Sequence, residues 1–151
     1  MSEVFYADRR LTYTYKRTTG PVLGRFFTGL RDGRIEAVVA ADGTVLCPPT
    51  EYDPRTSESL LDAPWVEVGP GGVVQTWSWV DQPRPTHPLP SPFAWALVTL
   101  DGASTPMLHA VDTGGDPMAL ANGARVTVRW AQDRVGQIRD IECFVPEGAQ
   151  Q

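Results

Sequence analysis

The sequence predicts a mainly β protein, in which a short helix and a degenerate, metal-free hairpin segment of the zinc-ribbon type precede a five-stranded OB-fold barrel. Two observations carry this prediction. Strand-like runs follow one another from Trp65 onward, and the 14 glycines and 14 prolines indicate many turns rather than a helical bundle. We expect residues 1–33 to form an N-terminal arm and helix, 34–62 the ribbon segment, 63–147 the barrel and 148–151 a tail.

The N-terminal part holds an alternating stretch and a helix. Leu11–Tyr15 alternates apolar or aromatic side chains with threonine, which is typical of a short strand or an extended arm. Apolar residues then recur at helical spacing from Val22 to Leu30, and Asp32-Gly33 supplies a stop, so we predict a helix of about ten residues. One helix face has more apolar surface than a short exposed helix needs, and we assign it to a partner interface: Phe26, Phe27 and Leu30.

The next segment has the spacing of two C-x-x-C knuckles around Pro48-Pro49, but without their cysteines. The four ligand positions hold Val39, Asp42, Asp53 and Thr56. A structural zinc ion needs thiolate or imidazole ligands in a tetrahedron, so this set predicts a fold without metal. We expect Ile35–Val39 to pair with Thr44–Leu46 across a turn. Val39 should point inward, and an aspartate at a ligand position should cap a turn.

The barrel prediction depends on five strand-like segments. Trp65–Val68 and Val73–Val80 flank Gly69-Pro70-Gly71-Gly72 and predict either one long bent strand or a tight hairpin. A proline-rich loop around His87 follows, and the remaining predicted strands are 93–100, 107–112, 124–130 and 138–145. Five strands with one longer excursion fit a small closed barrel, and the OB-fold is the five-stranded form.

Residues able to do nucleophilic or acid–base chemistry are few. Cys47 and Cys143 lie far apart, and we expect two free thiols in a reducing cytosol, with a disulfide as the alternative. His109 lies within a strand, where a structural imidazole is expected. His87 lies in an exposed loop and is either a plain loop residue or a ligand contact. Two acidic pairs are more typical of turns than of acid–base catalysis: Asp112 with Asp116, and Glu51 with Asp53.

The net charge of −5 and the pI near 4.9 argue against general nucleic-acid binding, which depends on clustered cationic side chains. OB-folds can nevertheless bind single strands through aromatic side chains, and Gln75, Trp77 and Trp79 share a strand face by alternation. Core packing of at least one Trp is the favoured interpretation, and protein contact is another, so we add Trp79 to the partner interface. Neither a membrane span nor a secretory signal is recognised, which predicts a cytoplasmic protein without a membrane partner.

Six motifs, in this order and spacing, resemble the zinc-ribbon/OB-fold family that accompanies thiolase-like enzymes. They are Phe26…Leu30-Arg31-Asp32-Gly33, Cys47-Pro48-Pro49-Thr50, Trp65–Gly69, Gly72–Trp77, Phe93–Val98 and Phe144-Val145-Pro146. The opening Tyr13–Arg17 is similar to the branch of this family associated with steroid side-chain degradation. The resemblance covers roughly residues 10–147, and the chain departs from the family pattern at all four zinc-ligand positions.

The resemblance implies a function that the residues alone do not show. In that branch, such a domain pairs with a thiolase-fold lipid-transfer protein to form a retro-aldolase that cleaves a steroid side-chain acyl-CoA. The residues predict no catalytic group or cofactor in this chain, and the four ligand positions predict no metal. The substrate of the complex would be a coenzyme A thioester, which Arg84 and His87 are candidates to contact. The chain would then be inactive alone but a required subunit of a carbon–carbon lyase.

Two alternatives remain open at this point. One is a scaffold that bridges a thiolase and a second acyl-CoA enzyme of the enoyl-CoA hydratase type. The other is an OB-fold module that binds nucleic acid or a peptide, against which the acidic composition argues.

Overall fold

A helix, α1, spans Gly20–Arg31 and confirms the predicted helical segment. Pro21 lies in its first turn, where a missing N–H costs nothing, and Gly33 follows its C-terminus with a φ of +75°. The structure, a computed structural model, describes residue 7 and residues 9–148. Residues 9–19 are exposed and have no regular secondary structure, so the stretch at Leu11–Tyr15 is an arm and not a strand.

The ribbon segment forms a three-stranded antiparallel sheet in the order β2-β1-β3. Its strands are β1 (Ile35–Val39), β2 (Val45–Leu46) and β3 (Trp65–Val68). The predicted β1–β2 hairpin is confirmed, with Val38 opposite Leu46 and Val39 opposite Val45. Gly43 has a φ of +85° in the connecting turn, a conformation that glycine adopts without strain.

Strand β3 differs from its prediction. The sequence pattern favours a Trp65–Val68 strand that continues into the first barrel strand or pairs with it, but all four residues pair with β1 instead. The chain turns at Gly69, which has a φ of +71°, and the Gly69 N–H donates to the Asp101 carbonyl at 2.9 Å. This turn separates β3 from the barrel strand that follows, so β3 belongs to the ribbon sheet.

The barrel is closed and five-stranded, as predicted for an OB-fold, with the order β4-β5-β6-β8-β7 and β7 returning to β4. Its strands are β4 (Gly71–Val80), β5 (Phe93–Leu100), β6 (Met107–Val111), β7 (Arg125–Trp130) and β8 (Ile141–Pro146). The last strand starts later than expected, because Ile138–Asp140 forms a 3-10 helix. Strands β6 and β8 close the barrel through a short parallel pairing, in which Val111 lies opposite Phe144.

The barrel core combines small and large side chains across β4 and β5. Ala96 faces Trp77 and Ala94 faces Trp79 in the strand register, which makes room for the two indoles.

A bulge between Val74 and Thr76 shifts the alternation of β4 by one residue. Gln75 therefore does not share a face with the two tryptophans, contrary to the sequence interpretation, and its side chain donates to Thr99 Oγ1 at 3.1 Å.

Helix and ribbon are joined to the barrel by specific contacts. Phe26, Leu30, Ile35 and Cys47 belong to the same buried cluster as the barrel interior. The Cys47 N–H donates to Thr105 Oγ1 at 2.9 Å, which links the ribbon to the turn between β5 and β6. Within the residues described, no helix has the length and apolar character needed to cross a membrane.

Candidate functional site

Two of the four ligand positions of the degenerate ribbon contact one arginine. Arg55 places its guanidinium 2.8 Å from Asp42 Oδ2 and 3.2 Å from Asp53 Oδ2. The same group donates to Thr44 Oγ1 at 3.1 Å. A cation from the chain thus bridges two former ligand positions, where a zinc ion would have linked thiolates. An arginine two residues after an aspartate at a ligand position is a sequence signal for this bridge, which the identities of the four ligand positions alone do not reveal.

The two aspartates also cap turns, as expected. Asp42 Oδ1 accepts the Thr44 N–H at 3.0 Å, and Asp53 Oδ1 accepts the Arg55 N–H at 2.8 Å. These backbone hydrogen bonds, followed by the contacts to the Arg55 side chain, hold the pKa of both carboxyls below the ordinary value. Among the residues described, no group of three or more His, Cys, Asp or Glu is arranged to hold a metal ion. That the ribbon folds without metal stays a prediction.

The helix residues assigned to a partner interface lie mostly inside the protein. Phe26 is 1% exposed and Leu30 is fully buried, so neither offers surface to a partner of the folded chain. Their apolar face packs against the barrel core and β1 because the helix lies on this core rather than standing free. Phe27 and Trp79 are only partly buried, and an interface role for them stays a prediction.

The two residues expected to contact substrate or coenzyme A form one turn of the proline-rich loop. The His87 N–H donates to the Arg84 carbonyl at 2.9 Å, and the Arg84 N–H donates to His87 Nδ1 at 3.2 Å. The imidazole meets Phe93 edge-on, with ring centroids 5.7 Å apart. The turn is therefore anchored to β5 through His87 and leaves the Arg84 side chain exposed.

A pocket of about 340 Å³ opens in the barrel wall beside this loop. Its lining residues come from the proline-rich loop, β5, β6, the 3-10 helix and β8: Thr86, Pro88, Trp95, Leu108, His109, Ile138, Arg139, Ile141 and Glu142. Most of these side chains are apolar. The sequence pattern does not reveal this pocket, because its residues come from four separate segments of the chain.

His109 is the buried polar residue of this pocket. It is 7% exposed, and its Nδ1 has no hydrogen-bond partner in the described chain. Burial lowers the pKa of His109 below its ordinary value, while the nearby backbone of Ala110 and Ile138 partly opposes that shift. The imidazole is accordingly neutral near pH 7 and can accept a proton or a hydrogen bond. Its place within β6 is the one expected for a structural histidine.

Asp140 organises the loop that forms one wall of the pocket. Its buried carboxylate accepts the N–H groups of Val135, Gly136 and Gln137 at 3.1, 2.7 and 3.2 Å. Arg134 connects the same loop to the helix, since its Nε donates to the Arg31 carbonyl at 3.1 Å. The acidic residue between two isoleucines interrupts the alternation expected of a strand, and this is the signal that could have indicated the turn.

Both cysteines are free and buried. Burial raises the pKa of Cys47 to about 12 and that of Cys143 to about 11. Nucleophilic catalysis requires the thiolate, which neither residue forms near neutral pH. The geometry therefore supports packing roles for both.

Two charged clusters tie the barrel strands together. Arg125 makes two hydrogen bonds to Asp101, at 2.6 and 2.7 Å, and two to Glu147, at 2.8 and 3.3 Å. Arg129 pairs with Asp112 at 2.9 Å and with Glu142 at 2.6 Å. The acidic residues of both clusters form ion pairs with arginines of β7. This agrees with a structural rather than a catalytic role for Asp112.

Comparisons with known proteins agree with this architecture. Residues 65–131, which contain β3 to β7, match the family described as ChsH2, C-terminal OB-fold domain. No curated protein matches the chain in sequence.

Solved structures share the fold. A chain of the Ltp2-ChsH2(DUF35) aldolase matches with a TM-score of 0.57 and 24% identity, over 81% of this chain and 91% of that one. A protein of unknown function from the DUF35 family of Sulfolobus solfataricus matches with a TM-score of 0.56 and 18% identity, over 73% and 78%. The resemblance predicted from the sequence is therefore confirmed, and the barrel has the OB-fold of the ChsH2 C-terminal domain.

Proposed function

We propose that this chain is an accessory subunit of a thiolase-like lipid-transfer-protein aldolase, acting in the cytoplasm on a steroid side-chain acyl-CoA. One observation supports this most directly. The segment 65–131 is similar to the ChsH2 C-terminal OB-fold domain, and the likeness to the Ltp2-ChsH2(DUF35) aldolase chain extends beyond it, over 81% of this chain. The likeness is therefore not confined to the segment that the family description covers.

The chemistry of the described residues agrees with a supporting role. A retro-aldol cleavage removes the proton of a β-hydroxyl group, breaks the Cα–Cβ bond and leaves the electron pair on the α-carbon of the thioester, which is then protonated. That sequence needs a base and an acid at one position. In this chain the cysteines stay thiols, and His109 is enclosed in the barrel wall. The partner would supply both proton transfers.

Arg84 and His87 give the chain a candidate contribution to substrate binding. The Arg84 guanidinium is exposed at a turn that the His87 ring fixes against β5. Guanidinium groups bind phosphates through paired, charge-assisted hydrogen bonds. We propose that Arg84 contacts the phosphate-bearing part of coenzyme A at the mouth of the partner's active site.

The experiment is co-expression with a thiolase-fold lipid-transfer protein from the same organism, followed by gel filtration and an assay of steroid acyl-CoA cleavage. We expect a stable hetero-complex that cleaves the substrate, while this chain alone does not. A monomeric chain that ignores the partner, or a chain that cleaves acyl-CoA unaided, would contradict the proposal.

The same preparation separates the alternatives. A stable complex that lacks cleavage activity but recruits an enoyl-CoA hydratase-type protein would indicate a scaffold. Retention of single-stranded nucleic acid at moderate salt would instead favour the binding-module alternative, since such binding depends on phosphate contacts.

A further inference from the structure

The pocket in the barrel wall combines a cavity with exposed apolar side chains at its rim. Leu108 is 61% exposed and Ile138 is 40% exposed, and both line the same pocket of about 340 Å³. Single exposed apolar residues are common on protein surfaces, whereas two of them around a concave apolar site indicate an interaction surface.

The pocket exists because the barrel is incompletely paired at this point. Strands β6 and β8 meet with Val111 opposite Phe144, and the 3-10 helix Ile138–Asp140 occupies the space before β8 begins. The beginning of β6, with Leu108 and His109, therefore faces this helix across an opening. Asp140 holds the helix and its loop in place through three backbone N–H groups, so the opening is a fixed feature of the fold.

The polar groups at the pocket define what it would accept. Glu142 is already paired with Arg129 at 2.6 Å, whereas Arg139 has no acidic partner among the residues described. His109 adds an imidazole whose Nδ1 has no hydrogen-bond partner in the same part of the chain. The unsatisfied charge at the rim is therefore positive, while the walls formed by Pro88, Trp95 and Ile141 are apolar.

We propose that this pocket is a docking point for the thiolase-fold partner, whose loop inserts a large apolar side chain and presents a carboxylate to Arg139. The inference rests on the proposed function and identifies the surface that the partner covers. An apolar anchor in a pocket, bordered by a charged pair, is the arrangement that concentrates binding free energy at protein interfaces. It replaces the buried residues Phe26 and Leu30 as the apolar contact surface.

The test compares exposed substitutions that introduce the same acidic side chain at different places. Leu108→Glu and Arg139→Glu change the pocket rim. Met118→Glu is the matched control, because Met118 is 88% exposed on another 3-10 helix and does not line the pocket. Thermal unfolding identifies variants that keep the fold, and titration calorimetry measures their Kd for the thiolase-fold lipid-transfer protein.

We expect Leu108→Glu to weaken binding by at least about 30-fold and Arg139→Glu by about 10-fold, with the control within about twofold of the original chain. If Leu108→Glu does not fold, the exposed Arg139→Glu still decides the question. Unchanged binding by the folded rim variants would overturn the docking point while leaving the accessory function intact. A chain that does not bind the partner at all would overturn both.

Self-association is the remaining competitor. Sedimentation velocity would reveal a dimer of the original chain. If Leu108→Glu dissociates such a dimer and leaves partner binding unaffected, the pocket belongs to a contact with a second copy, and the proposal is overturned.

Discussion

At the scale of single residues, Arg55 links two of the four positions at which a zinc ribbon would carry its ligands. Its guanidinium contacts Asp42 and Asp53, which stand at two of the four former ligand positions, one on each knuckle. A guanidinium has several donors in a fixed plane and can join two carboxylates at once. A guanidinium cannot bind four ligands in a tetrahedron as zinc does. Packing in the apolar cluster of Val38, Leu46 and Leu60 stabilises the adjacent hairpin.

The Arg55 bridge predicts an acid-dependent stability effect. The pKa of Asp42 and of Asp53 is lowered in the folded protein, so their contribution to stability is complete above about pH 4 and is lost as the pH falls through the lowered values. Arg55→Gln should therefore lower Tm clearly at pH 7 and less near pH 2.5, because a growing fraction of both carboxyls is protonated as the pH falls.

Circular dichroism melts at the two pH values measure this difference, with Arg31→Gln as the control for an exposed arginine beside an aspartate. Equal losses at both pH values would contradict the bridge.

A chelator such as EDTA should leave Tm unchanged. About one equivalent of zinc in the purified protein, lost together with the fold on chelation, would refute a metal-free ribbon.

The cysteines predict a second residue-scale outcome. With pKa values of about 12 and 11, fewer than about one thiol in a thousand is ionised at pH 8 in Cys47 or Cys143. Neither should react with a thiol reagent until the protein is unfolded in urea. Cys47→Ala and Cys143→Ala should keep acyl-CoA cleavage by the complex within about twofold. Loss of turnover in a variant that folds and binds its partner would show that a thiol takes part in the reaction.

At the scale of elements, the loop from Ala131 to Asp140 depends on one carboxylate. Asp140 is fully buried and accepts three backbone N–H groups, and its substitution would leave those donors without a partner. We expect Asp140→Ala to reduce the free energy of unfolding by about 2–4 kcal/mol. Urea denaturation measures this loss, and Asp133→Ala, exposed in the same loop, is the matched control. Equal stability of the two variants would contradict the role of Asp140.

Helix α1 provides the second element-scale prediction. Phe26 lies in the main core at 1% exposure, whereas Leu23 on the same helix is 38% exposed. Phe26→Ala should cost about 3–5 kcal/mol of unfolding free energy, and Leu23→Ala less than about 1 kcal/mol. Urea denaturation of both variants is the measurement. Similar small losses would mean that the helix face is not packed as the structure shows and would return Phe26 to the interface.

The fate of this helix illustrates what sequence patterns can predict. Apolar spacing predicted a helix from Val22 onward, and the observed helix spans Gly20–Arg31, because the periodicity depends only on the local backbone. It could not say what covers the apolar face, since a core and a partner impose the same pattern. Alternation along β4 failed for a related reason: the bulge at Gln75 is created by pairing with β5, and the local sequence does not contain that partner.

At the scale of the whole molecule, the five-stranded barrel could be predicted from the number of strands and the turn residues, while the pocket could not. Five strands restrict a small closed barrel to few arrangements, so the OB-fold could be inferred. The pocket depends instead on where β6 and β8 stop pairing and on a 3-10 helix that the sequence suggested as strand. Distances between side chains from four separate segments cannot be obtained from spacing along the chain.

The assembled complex permits a test of the proposed coenzyme A contact. Arg84 is exposed on a turn fixed by two hydrogen bonds with His87, so its side chain can be removed without disturbing the core. One charge-assisted contact to a phosphate is worth about 1–2 kcal/mol, which corresponds to a rise in KM of about 5–30-fold for Arg84→Ala with little change in kcat. Arg31→Ala, also exposed and at the end of α1, is the control and should leave KM unchanged.

Removing a phosphate from the substrate tests the same contact. If Arg84 contacts the 3′-phosphate of coenzyme A, a dephospho-CoA thioester should have a raised KM with the original complex, and Arg84→Ala should add nothing further to it. Additive effects would place the contact on another part of the cofactor chain. An Arg84→Ala complex that assembles and has the original KM for both thioesters would remove Arg84 from the substrate site, because a phosphate contact must weaken binding when either partner is deleted.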